Sequence, residues 1–332
     1  MAQSETQGYA SLDDMIYGVK LAILAYTDDN PAETISHYKG DMVLNGTYLA
    51  IEQVAGGPQR AMLPLTAILR SMGWTVDTVF SHTAFVDFQQ VDTQGYICHN
   101  DKEIVISYRG TTGGLDWLTN VGFLRAVFEP EEDAEAKSAG TWVACGGCTA
   151  SKPTAHEGFY NAFLQTIEDI EEYIMPLLED GDKPRRLVIA GHSLGGALAT
   201  AALSYLVDKF DFVDSPHEIL YVTIGQPRFG DRKFRTWLSQ ELDDLKDADK
   251  INIARIVNDY DSVPTVPPSN FGFDHIEGLC ILTDEADLLV DPDCTEANDA
   301  KDLDDPRELI EDHRPDHYLN LLLTHQKRIS GR

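Results

Sequence analysis

Two hydrophobic periods alternate along this chain, and their alternation predicts its architecture. From Ser11 to Tyr26 the apolar positions Leu12, Ile16, Val19, Ile23 and Tyr26 fall on one stripe of a helix, with Ser11 placed to cap its first turn. Met42 to Trp74 shows no sustained period apart from a helical stretch over Leu63–Met72. Between Thr83 and Tyr108 the pattern shifts to β-rich runs: Phe85-Val86-Asp87-Phe88, Gly95-Tyr96-Ile97 and Glu103-Ile104-Val105-Ile106-Ser107-Tyr108. His156 to Glu179 returns to the helical period, with Phe159, Phe163, Ile167, Ile170, Ile174 and Leu178 forming a core stripe. Arg186–Ala190, Ile219–Ile224 and Ile253–Val257 are short continuous apolar runs, the signature of strands buried on both faces. Strands alternating with helices predict an α/β fold: a mostly parallel central sheet flanked by helices, with residues 1–332 as a single domain. No internal repeat interrupts it.

One strand runs straight into chemistry. Val188-Ile189-Ala190 ends in Gly191-His192-Ser193-Leu194-Gly195-Gly196, and the small-residue helix pattern Ala197-Leu198-Ala199-Thr200-Ala201-Ala202-Leu203 follows at once. A Gly-x-Ser-x-Gly sequence is common in loops. Between a strand and a helix it is a nucleophile elbow, a sharp turn that lifts the serine hydroxyl out of its surroundings. Gly191 and Gly195 supply the room such a turn needs.

Composition changes the picture in one respect. The chain has 332 residues, 43% hydrophobic and 24% charged, ordinary for a globular protein. Its 55 acidic residues against 26 basic ones give a formal charge of -29, which repels nucleic acid and anionic membranes and would suit a salty milieu. Leu21-Ala22-Ile23-Leu24-Ala25 is too short to span a membrane or to serve as a signal's apolar core. With no signal peptide visible, the expected location is cytoplasmic, or secreted with the signal removed. Five cysteines, Cys98, Cys145, Cys148, Cys280 and Cys294, form no disulfide framework, and the lone Cys145-Gly-Gly-Cys148 lacks a second pair of zinc ligands. The stretch 284–312 is acidic, poor in apolar residues, and reads as a solvated insertion. No metal site and no cofactor are expected.

A serine nucleophile needs a histidine to take its proton and a carboxylate to orient that histidine. In sheets that carry this elbow the chain order is Ser, then acid, then His. Arg255-Ile256-Val257-Asn258-Asp259-Tyr260-Asp261-Ser262-Val263-Pro264 is a β-branched run entering a polar turn, and both Asp259 and Asp261 qualify by position. For the base, His275, His313, His317 and His325 follow the acid. His317 stands just after Pro315 at the start of an apolar helix pattern, so it is the favoured base, with His275 as rival; His313 and His325 read as surface positions. The oxyanion donors are expected from the N–H of Leu194 and from Tyr108-Arg109-Gly110-Thr111-Thr112-Gly113-Gly114, where Thr111 offers an N–H and a hydroxyl.

Five segments in this order resemble the class 3 lipases, the fungal triacylglycerol lipase family of the α/β-hydrolases. They are Ile106-Ser107-Tyr108-Arg109-Gly110-Thr111, His156-Glu157-Gly158-Phe159, the elbow itself, Thr223-Ile224-Gly225-Gln226-Pro227-Arg228-Phe229-Gly230, and Asp261-Ser262-Val263-Pro264 with Pro267-Pro268 behind it. The resemblance implies a Ser-Asp-His triad. It selects Asp261 over Asp259, makes His275 a non-catalytic histidine and leaves His317 as the base. It also implies a lid at 113–128, whose apolar residues include Trp117, Leu118 and Phe123. The implied activity is hydrolysis of a carboxylic ester through an acyl-enzyme, with triacylglycerol first among the substrates. Phospholipid sn-1, monoacylglycerol and feruloyl esters would use the same machinery. The implied partners are the lipid or other ester and, transiently, a lipid interface; no nucleic acid and no transmembrane segment are expected. A catalytically silent, partner-binding relative is the contrasting expectation, and an intact triad argues against it.

Overall fold

The structure is a computed structural model that describes residues 7–28, 42–86, 89–111, 125–128, 152–291 and 311–331. Trp117, Leu118, Phe123, Cys145, Cys148, Cys294 and most of the acidic stretch 284–312 lie outside the described residues.

Helix α1 (Leu12–Leu24) begins where Ser11 accepts the Asp14 N–H on its side chain, as the sequence pattern predicts. Helix α2 (Met42–Ala55) is a correction to the expectation of an irregular stretch, and α3 (Leu65–Ser71) lies within the expected Leu63–Met72. Strands β1 (Thr75–Val86) and β2 (Gln89–His99) form an antiparallel hairpin longer than the short runs expected. Strand β3 (Glu103–Tyr108) follows, then the short strands β4 (Arg125–Val127) and β5 (Thr154–His156).

The expected long helix over His156–Glu179 is broken. It comprises α4 (Glu157–Leu164), α5 (Ile167–Tyr173) and a single turn at Met175–Glu179. Two local causes are visible. The Thr166 hydroxyl donates back to the Phe163 carbonyl, and Pro176 has no N–H to continue the ladder. The apolar stripe survives the breaks, with Phe159, Phe163, Ile170, Ile174 and Leu178 all buried.

Then come β6 (Arg186–His192), α6 (Leu194–Lys209), β7 (Glu218–Ile224), β8 (Gly230–Asp231), α7 (Arg232–Asp247) and β9 (Ile251–Asn258). β10 (Phe273–Asp274), β11 (Leu279–Leu282), β12 (Leu288–Val290) and α8 (Pro315–Ser330) complete the described chain. The main sheet has the order β1-β2-β3-β6-β7-β9-β11-β12. Its pairs from β3 through β11 are parallel, and both edges are antiparallel. A four-stranded sheet, β10-β8-β5-β4, stands apart from it.

The central strands are apolar on both faces because each face is covered. Ile104, Ile106, Leu187, Ile189, Ile219 and Tyr221 point into one core with α4 and α6. Their neighbours Val105, Val188, Ala190, Leu220, Val222 and Ile224 point into the other with α1 and α8. Helix α6 is buried from Leu194 to Leu206, which explains its run of small residues. Parallel register brings Tyr108 opposite Gly191, His192 opposite Ile224, and Ile224 opposite Ile256. The carboxyl ends of β3, β6, β7 and β9 are therefore level, the edge of an α/β sheet where sites form.

Candidate active site

Ser193 sits between β6 and α6 with φ 57° and ψ −130°, a left-handed conformation that few non-glycine residues adopt. It is held there by close backbone packing. A side-chain carbon on Gly191 would meet the Gly195 carbonyl oxygen at 2.2 Å, and one on Gly195 would meet the Tyr108 carbonyl oxygen at 2.3 Å. The Ser193 N–H donates to the Ile224 carbonyl at 3.0 Å, which ties the turn to the end of β7. Leu194 opens α6, so its N–H is among the amides a helix start leaves unshared.

The turn after β3 lies against this elbow. The Arg109 N–H donates to the Gln94 carbonyl at 2.8 Å. At Gly110 a side-chain carbon would lie 2.9 Å from the Ser193 Cβ, 2.9 Å from the His192 carbonyl and 2.5 Å from the Tyr26 hydroxyl. Only glycine permits that approach, and it brings half-buried Thr111 to within one residue of the contact with the serine.

The carboxylate that meets an imidazole is that of Asp261. It lies in the turn after β9, with its own N–H on the Asn258 carbonyl at 3.0 Å. Its Oδ1 accepts the Val263 N–H at 2.8 Å. Its Oδ2 accepts two bonds, from His313 Nδ1 at 2.8 Å and from the Tyr318 hydroxyl at 2.6 Å. Behind this turn the Arg228 guanidinium donates to the carbonyls of Thr265 and Pro267, which gives the Arg of the Gln226-Pro227-Arg228 segment its purpose. Gly225, at φ +57°, makes room for the pair: a side-chain carbon there would meet Asp261 Oδ2 at 2.8 Å and His313 Nδ1 at 2.9 Å.

The imidazole on Asp261 belongs to His313, and the expectation of His317 is corrected. His317 lies in the first turn of α8 with its Nε2 3.7 Å from Asp312 Oδ1, too long for a hydrogen bond. The physical reason is the helix. A residue inside α8 projects in a direction fixed by the helix axis, whereas His313 precedes Pro315, the first residue of α8, and its turn is free to bring the ring to Asp261. A carboxylate only accepts, so His313 carries its proton on Nδ1 and presents a lone pair on Nε2. That Nε2 is buried and has no hydrogen-bond partner among the described residues. The expectation that His313 and His325 are surface residues fails for both, since each is buried.

The rival histidine is occupied elsewhere. His275 Nε2 donates to the Pro264 carbonyl at 2.7 Å. Burial, with Arg255 and Arg228 nearby, holds its pKa well below the usual histidine range. Three further residues escaped the sequence reading. Tyr318 accepts the Asn258 N–H at 3.0 Å and donates to Asp261; burial and the carboxylate's charge keep its pKa well above the phenol range. Tyr26 and His192 form a second set of buried bonds behind the elbow, at 2.5 Å. The available signal for Tyr318 and His313 was their spacing around the start of α8; nothing in the sequence pairs Tyr26 with His192.

Among the described residues, no group of three or more His, Cys, Asp or Glu side chains converges as a metal site requires, and no helix is long and apolar enough to cross a membrane.

A family model described as "Lipase (class 3)" matches residues 105–271, half of the chain. The chain belongs to the class 3 lipase family. The match begins in β3, runs through the elbow and the Asp261 turn, and stops before His313. Among its relatives is a lipase of Rhizopus niveus, 27% identical over 186 residues that cover 55% of this chain and 40% of that protein. A chloroplastic phospholipase A(1) of Arabidopsis thaliana is 33% identical over 171 residues, covering 50% of this chain and 34% of that protein. The class 3 lipase chain thus spans about two fifths or less of the length of these relatives. Among solved structures, lipase II from Rhizopus niveus superposes with a TM-score of 0.55 at 21% identity, covering 92% of this chain and 94% of that one. That likeness shows the α/β-hydrolase fold.

Proposed function

We propose that this class 3 lipase chain is a serine carboxylic ester hydrolase acting on lipid esters through Ser193, His313 and Asp261. The observation that carries the reading is the orientation of His313. Its Nδ1–H is held by a buried carboxylate and its Nε2 is left free beside the strained serine turn. A hydrogen bond between a base and its nucleophile can form only once substrate is bound.

In the proposed sequence, Ser193 Oγ forms a bond to the ester carbonyl carbon while His313 Nε2 takes the hydroxyl proton. The carbonyl oxygen becomes an oxyanion and accepts hydrogen bonds from the N–H groups of Leu194 and Thr111. Asp261 stays ionised and stabilises the imidazolium. The carbon–oxygen bond to the alcohol breaks as His313 returns its proton to the leaving oxygen. A water molecule then repeats the addition on the acyl-enzyme, releasing the acid and restoring Ser193.

The substrate class is proposed from the family and from the printed activities of the relatives, a lipase and a phospholipase A(1). Net charge favours a neutral lipid surface over an anionic one. Of the expected lid at 113–128, Arg125–Val127 is strand β4 and Phe128 is buried in the core; the part before them, with Trp117, Leu118 and Phe123, is proposed to meet that surface.

One experiment tests both levels. A fluorophosphonate should label Ser193 in the wild type and leave Ser193→Ala unlabelled. Turnover of soluble nitrophenyl esters should fall by roughly four to six powers of ten in the variant. Emulsified tributyrin should be hydrolysed by the wild type. Comparable turnover by Ser193→Ala overturns the triad, and turnover of soluble esters without any of the emulsion overturns the lipid assignment alone.

A further inference from the structure

We propose that Tyr26 and His192 are positioning residues: a neutral hydrogen-bond relay that runs from the oxyanion turn, behind the serine, to the backbone of the base. The proposal rests on the hydrolase reading above and adds what holds its two sides in register.

The direction of every bond in the relay is forced. His192 Nε2 lies 2.8 Å from the His313 carbonyl oxygen, which can only accept, so Nε2 carries the hydrogen. In a neutral imidazole the other nitrogen is then an acceptor. His192 Nδ1 lies 2.5 Å from the Tyr26 hydroxyl, so Tyr26 donates to it. The phenol oxygen in turn accepts from the Gly110 N–H. The chain of donation is Gly110 N–H to Tyr26, Tyr26 O–H to His192, and His192 N–H to His313. It begins one residue before Thr111 and ends on the residue whose ring is bonded to Asp261.

The relay keeps this direction while His192 is neutral. A second proton would turn Nδ1 into a donor and reverse the Tyr26 bond, and would place a cation 4.6 Å from the His313 ring, centroid to centroid. Burial acts first against that proton and the charge of His313 second, so the His192 pKa is held well below the usual range. Tyr26 is buried too, and its pKa is raised by desolvation, so the phenol keeps its proton. When His313 accepts the serine proton, the charge is therefore balanced by Asp261 while the relay is unchanged. His313 is gripped at two points, by its ring and by its carbonyl, and the second grip is shared with the turn that carries the oxyanion donor.

The test compares two replacements of His192. Phe keeps the size and the ring packing but has no polar atom. The Gln carboxamide has one acceptor and one donor at about the spacing of the two imidazole nitrogens. His192→Phe should lower kcat on a soluble ester by roughly 10²-fold with KM little changed, because the base is misplaced while the acyl site is intact. His192→Gln should recover to within about tenfold of wild type. Where His192→Phe does not fold, Tyr26→Phe, which removes one oxygen, should show the same split in kcat against KM at smaller size. Wild-type kcat in a folded His192→Phe or Tyr26→Phe protein overturns the relay, as does equal loss in His192→Phe and His192→Gln. A wild type that neither turns over esters nor takes fluorophosphonate at Ser193 overturns the hydrolase reading and the relay with it.

Discussion

Ser193 and His313 are held by different kinds of force. The serine is fixed by tight packing of backbone against backbone, between its own turn and the ends of β3 and β7. Gly191, Gly195 and the Tyr108 carbonyl meet at distances that exclude any side-chain carbon, and Ser193 itself takes a left-handed φ of 57°. His313 is fixed by three side chains from two distant segments: Asp261 on its ring, His192 on its carbonyl, and Asn258, whose Nδ2 donates to the neighbouring Asp312 carbonyl at 3.1 Å. The elbow is therefore steric, and its contacts are made by backbone. The base end is polar and long-range, and it should be the more easily disturbed by changing single hydrogen bonds.

The largest effect separates the two candidate bases. His313→Ala should lower kcat by roughly 10⁴–10⁶-fold while leaving a folded protein, because the variant loses the group that takes the serine proton. His317→Ala should stay within about tenfold of wild type, since its ring lies 3.7 Å from Asp312 and makes no bond to Asp261. Steady-state rates on a soluble nitrophenyl ester, with circular dichroism to check folding, decide the matter. An inactive His317→Ala beside an active His313→Ala would break the comparison at its base end.

The same contrast explains what the sequence disclosed. The elbow is legible because strand, glycines, serine and helix are adjacent, so Gly191-His192-Ser193-Leu194-Gly195 carries its own geometry. The acid is legible from its turn only to within Asp259 and Asp261, and the likeness of Asp261-Ser262-Val263-Pro264 to the family's segment chooses between them. The strands β6, β7 and β9 were legible as apolar runs because both their faces are covered. The base was not, because what brings His313 rather than His317 to Asp261 is the direction of α8 relative to the end of β9. Proline at 315 marks where that helix starts, and the correct inference from it is that a residue just before the helix, and not one inside it, can swing to the acid. The break between α4 and α5 was hidden for another reason. The stripe from Phe159 to Leu178 keeps its period across the interruption, so periodicity alone does not reveal the Thr166 back-bond.

A smaller effect sharpens the polar side of the comparison. Tyr318→Phe removes a donor from Asp261 Oδ2 and leaves the Asn258 N–H without that acceptor. A hydrogen bond to a charged group contributes about 1.5–3 kcal/mol, so stability should drop by an amount of that order. With one competitor gone, the carboxylate holds the His313 proton more tightly. The acidic limb of kcat/KM should move to higher pH, and kcat should fall by about tenfold, roughly 1.4 kcal/mol in the barrier. A pH–rate profile distinguishes this from simple loss of packing. An unmoved acidic limb in a folded variant would remove Tyr318 from the set of groups that tune the base.

The smallest effect concerns stability against pH. His275 braces the acid turn through the Pro264 carbonyl, and His192 braces the base. Both have folded-state pKa values held below the usual histidine value by burial. The unfolded chain takes up these two protons below a pH of about 6.5, while the folded chain does not. Stability from this source is thus fully present above about pH 6.5 and is lost as pH falls toward the folded values, at a limiting slope of about 1.4 kcal/mol per pH unit for each histidine. Between pH 6.5 and 5.5 the two together should cost about 2 kcal/mol, measured by urea unfolding. His275→Gln removes one of the two titrations, so its loss over the same interval should be about 1 kcal/mol less. Equal losses in wild type and variant would mean that His275 becomes protonated in the folded protein. The turn behind Asp261 would then not be the pH-sensitive brace that sets the base end apart from the elbow.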